Sequence, residues 1–226
     1  MINYNIDRAN FIQPELSMVR EFGAYKYWRV YWDITEIAEE KTEETMLVRH
    51  EIPVTKTYED PETGETIEYT DIEIVEQEEL VITRVYESKF IEVKLPKNET
   101  PTALEIMKNY VLEQINAYDT SSEVNGFFLD GELVWLDKDT RVGLMNSTNI
   151  QKSAGLDQTV LWLGTRALSI NCDLAIQLLG GLEMYALECF NKTAEHKKNV
   201  EELETVGEIA NYDYTSGYPE RLNLSL

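Results

Sequence analysis

Residues 172–191 read CDLAIQLLGGLEMYALECFN, and this stretch decides the fold. At about 100° per residue, its apolar side chains cover most of a helical circumference and leave one narrow polar band. A helix that is apolar on most sides is a buried helix. The stretch is too short, and too interrupted by Gln177 and Glu183, to span a bilayer. The sequence therefore predicts a buried helix from Cys172 to Asn191 at the centre of the C-terminal half.

Glu183 is an acid on the apolar side of this helix. Burial raises the pKa of a carboxyl group, which would suit a catalytic acid. An arginine partner is the commoner arrangement, and the two candidates are Arg141 and Arg166. The sequence favours this structural pairing and leaves the catalytic alternative open.

Two β-hairpins are predicted ahead of the central helix. The first lies within residues 124–136 around Asp130-Gly131, a dipeptide typical of two-residue hairpin turns. The second lies within residues 159–170 around Gly164-Thr165, and Asp137 caps a helix between the two. Further helices are predicted from Pro101 to Tyr118 and from Thr193 to Val206, the second with His196 facing outward. The tail at residues 212–222 is expected to dock on the protein.

The first hundred residues are predicted to form strands. Tyr25–Ile37 alternates in the manner of a strand, and residues 46–58 and 66–75 form a long hairpin with an acidic tip. A polar link at residues 38–44 precedes the hairpin, and a further strand is expected at residues 79–95. Such a long, charged hairpin, poor in core residues, is typical of an arm that reaches a neighbouring subunit.

These patterns together predict an α+β protein with two domains. Residues 1–97 form a β-rich N-terminal arm or domain that carries the long acidic hairpin. Residues 98–226 form a C-terminal domain of two β-hairpins packed on the buried helix and its flanking helices. The boundary is placed at the break Pro96–Pro101.

The net charge of the chain restricts the classes of partner that it can bind. The chain has 42 acidic and 20 basic residues, a net charge of −22, and much of the excess lies between Glu36 and Glu92. A nucleic-acid backbone or an anionic membrane would be repelled. A basic partner or mimicry of a DNA duplex would suit this charge. Cys172 and Cys189 lie at opposite ends of the predicted helix, about 25 Å apart, so they are expected to be free thiols in a reducing cytoplasm.

No motif for catalysis or for metal binding stands out. The chain has two histidines, no Cys-x-x-Cys, no phosphate-binding glycine loop and no Gly-x-Ser-x-Gly. The acidic hairpin tip lacks the spacing of an EF-hand, and Asp137 with Asp139 is better explained by helix capping than by a carboxylate pair. We therefore expect no catalytic residues, no cofactor, no metal and no enzymatic activity.

An ordered set of short motifs covers residues 101–222. They are YDTS at 118–121, VNGF at 124–127, WLDK at 135–138, RVGL at 141–144, EMYA at 183–186, Glu188-Cys189, His196, YDYT at 212–215 and GYP at 217–219. In these motifs the chain resembles an uncharacterised family, a domain of unknown function from phages and prophages of gut Bacteroides-like bacteria and from tail-fibre-region proteins of other phages. The resemblance implies a phage origin and a role in the virion or its tail. It supplies no activity and no catalytic residues.

The expected function is that of a phage virion structural protein, tail- or fibre-associated, made in the host cytoplasm and located in the virion. We expect it to form a homo-oligomer and to contact other phage structural proteins, without binding nucleic acid or membrane. Aromatic residues dominate interface hot spots, so Trp28, Tyr31, Trp32, Tyr58 and Tyr69 are the predicted interface residues. The alternatives are a tail-fibre assembly chaperone that is absent from the virion, an acidic inhibitor that mimics DNA, and a glycan hydrolase that uses Glu183.

Overall fold

The computed structural model describes residues 2–60 and 65–225, with backbone alone at 38–46, 67 and 78–83. The chain is an α+β protein, as its sequence predicts. Its N-terminal sheet has the strand order β1-β4-β3-β2. The four strands are β1 (Asn5–Ala9), β2 (Leu16–Phe22), β3 (Tyr25–Glu59) and β4 (Thr66–Pro96).

Strands β3 and β4 form the long hairpin, and they are longer than predicted. β3 has 35 residues and β4 has 31. The predicted link at residues 38–44 is wrong, because it lies inside β3. No glycine or proline interrupts residues 25–52 or 66–95, and hydrogen bonding to the neighbouring strand outweighs the weak strand preference of glutamate. The N–H of Asp60 donates to the carbonyl of Glu65 at 2.9 Å next to the predicted acidic tip, of which residues 61–64 lie outside the described residues.

The compact units do not follow the predicted boundary at residue 97. The first part of β3 and the last part of β4 belong with the helices, because Val30, Trp32 and Ile91 lie in one apolar cluster with helix α1 (Ala103–Asp119). The hairpin beyond Trp32 forms a separate unit. Unit 1 comprises Met1–Asn5, Glu15–Trp32 and Phe90–Leu226, and unit 2 comprises Ile6–Pro14 and Asp33–Lys89.

Helix α1 supplies much of the first core of unit 1. Its N-cap is Thr102, whose side chain accepts from the N–H of Glu105 while the Glu105 carboxylate accepts from the N–H of Thr102. The predicted start at Pro101 is therefore two residues early, because the reciprocal hydrogen bonds of Thr102 and Glu105 fix the first helical residue at Ala103. Met107, Val111 and Ile115 are fully buried.

The second core lies between the two predicted hairpins and the central helix. Its strands are β5 (Gly126–Leu129) and β6 (Glu132–Trp135), then β7 (Gln158–Leu163) and β8 (Arg166–Asn171). Helix α2 (Ser122–Asn125) precedes β5, and helix α3 (Lys138–Ser153) lies between β6 and β7 in sequence. Strand β9 (Asn223–Leu224) runs parallel to β5. Both hairpins are confirmed. Asp130 and Gly131 have φ of 50° and 86°, as a type I′ turn requires, and Gly164 has φ of 65°.

The central helix α4 (Cys172–Glu202) is longer than predicted and buried on one side only. No glycine or proline lies between Leu182 and Glu202, so the two predicted helices are one, and α5 (Val206–Ala210) follows as a separate short helix. The buried side is formed by Cys172, Ala175, Leu178, Leu179, Leu182, Tyr185, Cys189, Thr193, His196 and Val200. The prediction of burial on nearly all sides is wrong, because Met184, Leu187 and Phe190 are exposed. Cys172 and Cys189 are buried free thiols, as predicted.

Gly180 and Gly181 lie inside α4. A Cβ atom at either position would meet nothing within 4 Å. Alanine should therefore stabilise the protein, by about 0.5–1 kcal/mol at each site, because it restricts the unfolded chain and favours the helix. Urea denaturation of Gly180→Ala and Gly181→Ala would measure this gain.

Gly131→Ala is the matched control. Its Cβ would also meet nothing within 4 Å, but φ there is 86°. That substitution should destabilise by about 1 kcal/mol, because a side chain disfavours positive φ. A loss of stability at Gly180 and Gly181 similar to the loss at Gly131 would contradict the expectation.

Candidate binding cleft

An open cleft in unit 1 is the candidate functional site. It has a volume of about 560 Å³ and lies where the end of α1, the β6–α3 connection and the middle of α4 meet. Volumes of about 300–1,000 Å³ are usual for ligand sites. Its lining combines apolar side chains with five charged ones. The charged residues are Asp119, Asp137, Lys138, Arg141 and Glu183.

Arg141 and Glu183 form an ion pair in this cleft. Arg141 is buried, and its Nε donates to Oε1 of Glu183 at 2.9 Å while its Nη1 donates to the carbonyl of Leu136 at 2.7 Å. The predicted arginine pairing of Glu183 is confirmed, with Arg141 as the partner. The other candidate, Arg166, pairs instead with Asp130 at 2.9 Å. Glu183 thus serves as the counter-ion of a buried guanidinium group.

The first turn of α3 positions Arg141. Asp137 is the N-cap of this helix, and its carboxylate accepts from the N–H of Thr140 at 2.8 Å and from the Thr140 hydroxyl at 2.6 Å. These hydrogen bonds lower the pKa of Asp137. The predicted capping role of Asp137 is confirmed, and it aligns the helix that carries Arg141.

The cleft also has an exposed apolar border that the sequence analysis missed. Trp135 is 42% exposed, Leu187 58% and Phe190 61%. Trp135 faces outward because side chains alternate along β6, where Val134 is buried. Leu187 and Phe190 lie three residues apart on α4, so they share one side of the helix. Their exposure could not be read from helical periodicity, since a leucine and a phenylalanine on a long apolar helix are typical of a core.

Asp119, at the end of α1, borders the cleft in a fixed position. Its Oδ1 accepts from the Thr193 hydroxyl at 2.6 Å, and its backbone carbonyl accepts from Nδ2 of Asn125 at 2.5 Å. The Thr193 hydroxyl also lies 3.0 Å from the hydroxyl of Tyr218 in the tail. Asp119 is therefore held from both its main chain and its side chain.

The predicted interface residues lie in different surroundings. Tyr31 is 3% exposed and Trp32 5%, so their selection as surface contacts is wrong: residues 30–32 of β3 are buried on both faces of the strand. Trp28 is partly buried against the first core of unit 1, and its Nε1 is buried without a hydrogen-bond partner among the described residues. Tyr58 and Tyr69 are exposed on the hairpin and stay predictions.

His196 was predicted to face outward on α4 and is instead buried. Its Nε2 lies 2.9 Å from the carbonyl oxygen of Ser216, which only accepts, so Nε2 carries the proton. Its Nδ1 therefore accepts from the Tyr212 hydroxyl at 2.8 Å. The tail covers the histidine, which confirms the predicted docking of residues 212–222 and explains the wrong orientation. Burial lowers the pKa of His196.

No family model, curated protein or solved structure matches this chain. Within residues 2–60 and 65–225, no three or more His, Cys, Asp or Glu side chains form a group that could hold a metal ion. Among the helices of the described residues, none is long and apolar enough to cross a membrane.

Removal of the Glu183 carboxylate should destabilise the protein, because Arg141 would stay buried without a counter-ion. We expect Glu183→Ala to lower the free energy of unfolding by about 1–2 kcal/mol, less than for a fully buried pair since Glu183 is partly exposed. Glu202→Ala is the control on the same helix, since Glu202 pairs with Lys198 at 3.6 Å and both are exposed. Chemical denaturation would compare the two, and equal losses would refute a special role for Glu183.

Stability should fall in mild acid because of His196. Its pKa is lower in the folded protein than in the unfolded chain, so the unfolded state binds more protons once the pH falls through about 6.5. The stabilisation is complete above that pH and is lost as the pH approaches the folded pKa. Urea midpoints between about pH 7.5 and 5.5 should decline.

Two histidine variants separate this effect from other titrations. His196→Gln should flatten the decline, and His50→Gln, which changes the other histidine of the chain, should retain it. A decline of unchanged slope in His196→Gln would show that another group is responsible.

Proposed function

We propose that this chain is a phage virion structural protein, tail- or fibre-associated, that acts through contacts with neighbouring subunits. The hairpin of unit 2 carries the proposal. Among its side chains that the structure describes, Ser88 is the only buried one. An isolated two-stranded hairpin is at best marginally stable in water. A hairpin of this length that contributes no described side chain to an apolar core is suited to contacts outside the chain.

The charge of the hairpin indicates the sign of its neighbour. Residues 33–89 contain 18 acidic and five basic residues. Ion pairs join the strands, such as Lys56–Asp71 at 2.7 Å and Arg49–Glu76 at 2.8 Å, but five basic residues cannot neutralise 18 acidic ones, so the segment keeps a strong net negative charge. A basic surface on a neighbouring phage protein would be attracted over a Debye length and oriented by this field.

Exposed apolar side chains on the same hairpin supply contact area. Ile72 and Ile74 are two residues apart on β4, so they point to the same face, and both are more than half exposed. Tyr58 and Tyr69 are exposed as well. Apolar and aromatic groups surrounded by charge are the usual composition of an interface centre and its rim.

The net charge supports the absence of binding to nucleic acid or membrane, and the resemblance to phage proteins supports a homo-oligomer with phage partners. The net charge of −22 opposes contact with nucleic acid or an anionic membrane. A homo-oligomer in the particle, assembled with other phage structural proteins after synthesis in the host cytoplasm, fits a tail or fibre component.

Mass spectrometry of purified virions tests the proposal. The chain should be present at a fixed copy number that matches a symmetric ring or fibre. Its absence from particles, with production in infected cells, would contradict the proposal and favour a tail-fibre assembly chaperone. The open, apolar-bordered cleft is the observation that would suit such a chaperone.

Phage variants test the hairpin itself. Ile72→Ser with Ile74→Ser should reduce incorporation into particles without changing the melting temperature of the isolated protein, since both side chains are exposed. Leu156→Ser, an exposed apolar position in unit 1, is the control and should be incorporated normally. Normal incorporation of the double variant would refute a contact through this face.

A further inference from the structure

We propose that the cleft at Arg141 and Glu183 binds an extended segment of a partner protein in which an apolar side chain lies next to a lysine or arginine. The cleft is a second contact site, distinct from the hairpin. Binding to it can be measured on the isolated protein, so the test does not depend on whether the chain is part of the virion.

The exposed apolar border of the cleft indicates that the bound segment carries an apolar side chain. Trp135, Leu187 and Phe190 surround the opening, and each is at least 42% exposed. On the buried side of α4, by contrast, Leu178, Leu179 and Leu182 are covered by the hairpins. A side chain of a partner that enters between an indole, a phenyl ring and a leucine would remove this surface from water, which is the main driving force of association.

The unused hydrogen-bond acceptors of the cleft lining indicate that the bound segment carries a lysine or arginine next to its apolar side chain. Oδ1 of Asp119 and Oε1 of Glu183 accept hydrogen bonds, whereas the second oxygen of each carboxylate accepts none from the described residues. The side-chain oxygen of Asn125 likewise accepts none from the part of the chain that is described. These acceptors suit the donors of an ammonium or guanidinium group. The aromatic rings at the border also favour a cation.

The backbone of the bound segment has partners too. Within residues 2–60 and 65–225, Nη2 of Arg141 donates no hydrogen bond and the side chain of Lys138 makes none. Both are donors suited to peptide carbonyl groups. The lining thus offers acceptors for a side-chain cation and donors for a main chain, next to an apolar opening.

Charge argues against the other occupants of such a cleft. The lining has three carboxylates and two basic groups in a chain of net charge −22, so an anionic ligand is disfavoured. The hairpin of a second copy, with 18 acidic and five basic residues at positions 33–89, lacks the positive charge that would complement these carboxylates. A basic and apolar segment is complementary in both respects.

The test is a titration of the full chain, followed by the NMR signal of the indole N–H of Trp135. The probes are N-acetyl-Phe-Lys-amide, N-acetyl-Phe-Glu-amide and N-acetyl-Ser-Lys-amide. The Phe-Lys probe should shift this signal saturably, and the other two should bind at least about tenfold more weakly, because one reverses the charge and the other removes the apolar anchor. Trp162, which is exposed outside the cleft, should show no saturable shift.

Variants on the exposed side of α4 locate the site. Phe190→Ala should weaken the Phe-Lys probe at least about tenfold. Met184→Ala is the matched control, since it is exposed on the same helix but does not line the cleft, and it should bind normally. Asp119→Asn, which keeps an oxygen for Thr193, should reduce the preference for Phe-Lys over Phe-Glu.

Three results would overturn the inference. They are equal affinity for the Phe-Lys and Phe-Glu probes, an unchanged affinity in Phe190→Ala, or a saturable Trp135 shift with maltose and none with the peptides, which would make the cleft a saccharide site. Absence of the chain from virions would leave all of these measurements unchanged, so failure of the proposed function and failure of this inference are distinguishable.

Discussion

The buried side of α4 is the constraint on which unit 1 depends. This one helix has residues in all three apolar clusters: Val200 in the first, Leu178 to Leu182 in the second, and Tyr185 with Cys189 in the third. At about 1.5 Å per residue it extends for roughly 45 Å, long enough for α1, both hairpins and the tail to pack along it in turn. Each of these elements covers part of the same side, so none of them packs independently of the helix.

The opposite side of α4 stays in water, and this division creates the cleft. Arg141 is buried against the helix and needs a counter-ion, which Glu183 supplies from the edge between the two sides. The ion pair therefore places charged groups at the point where covered and open surface meet. Leu187 and Phe190 lie just beyond it, with no described element packed over them. The counter-ion that buried Arg141 requires thus also places a charged pair in the lining of the proposed binding site.

Local chemistry made several features predictable from the sequence. Asp130-Gly131 specifies a type I′ turn, Asp137 is a good N-cap, and a lone acid on an apolar helix side calls for an arginine. Features that depend on distant packing were not predictable. Periodicity describes one helix, and it does not say whether Phe190 is covered by another element. The prediction that His196 faces outward was wrong because the tail that buries it comes later in the chain and is not visible in the periodicity of the helix.

The order of the chain has a consequence for synthesis. Val30 and Trp32 leave the ribosome before the hairpin, while Ile91 and the α1 residues that share their cluster leave after it. At about 5–20 residues per second, the ribosome takes several seconds to add residues 33–89. During that interval Val30 and Trp32 lack the core partners that Ile91 and α1 supply, so the nascent protein is most open to misassociation while its acidic hairpin is emerging. The high negative charge of that segment keeps such half-made chains apart.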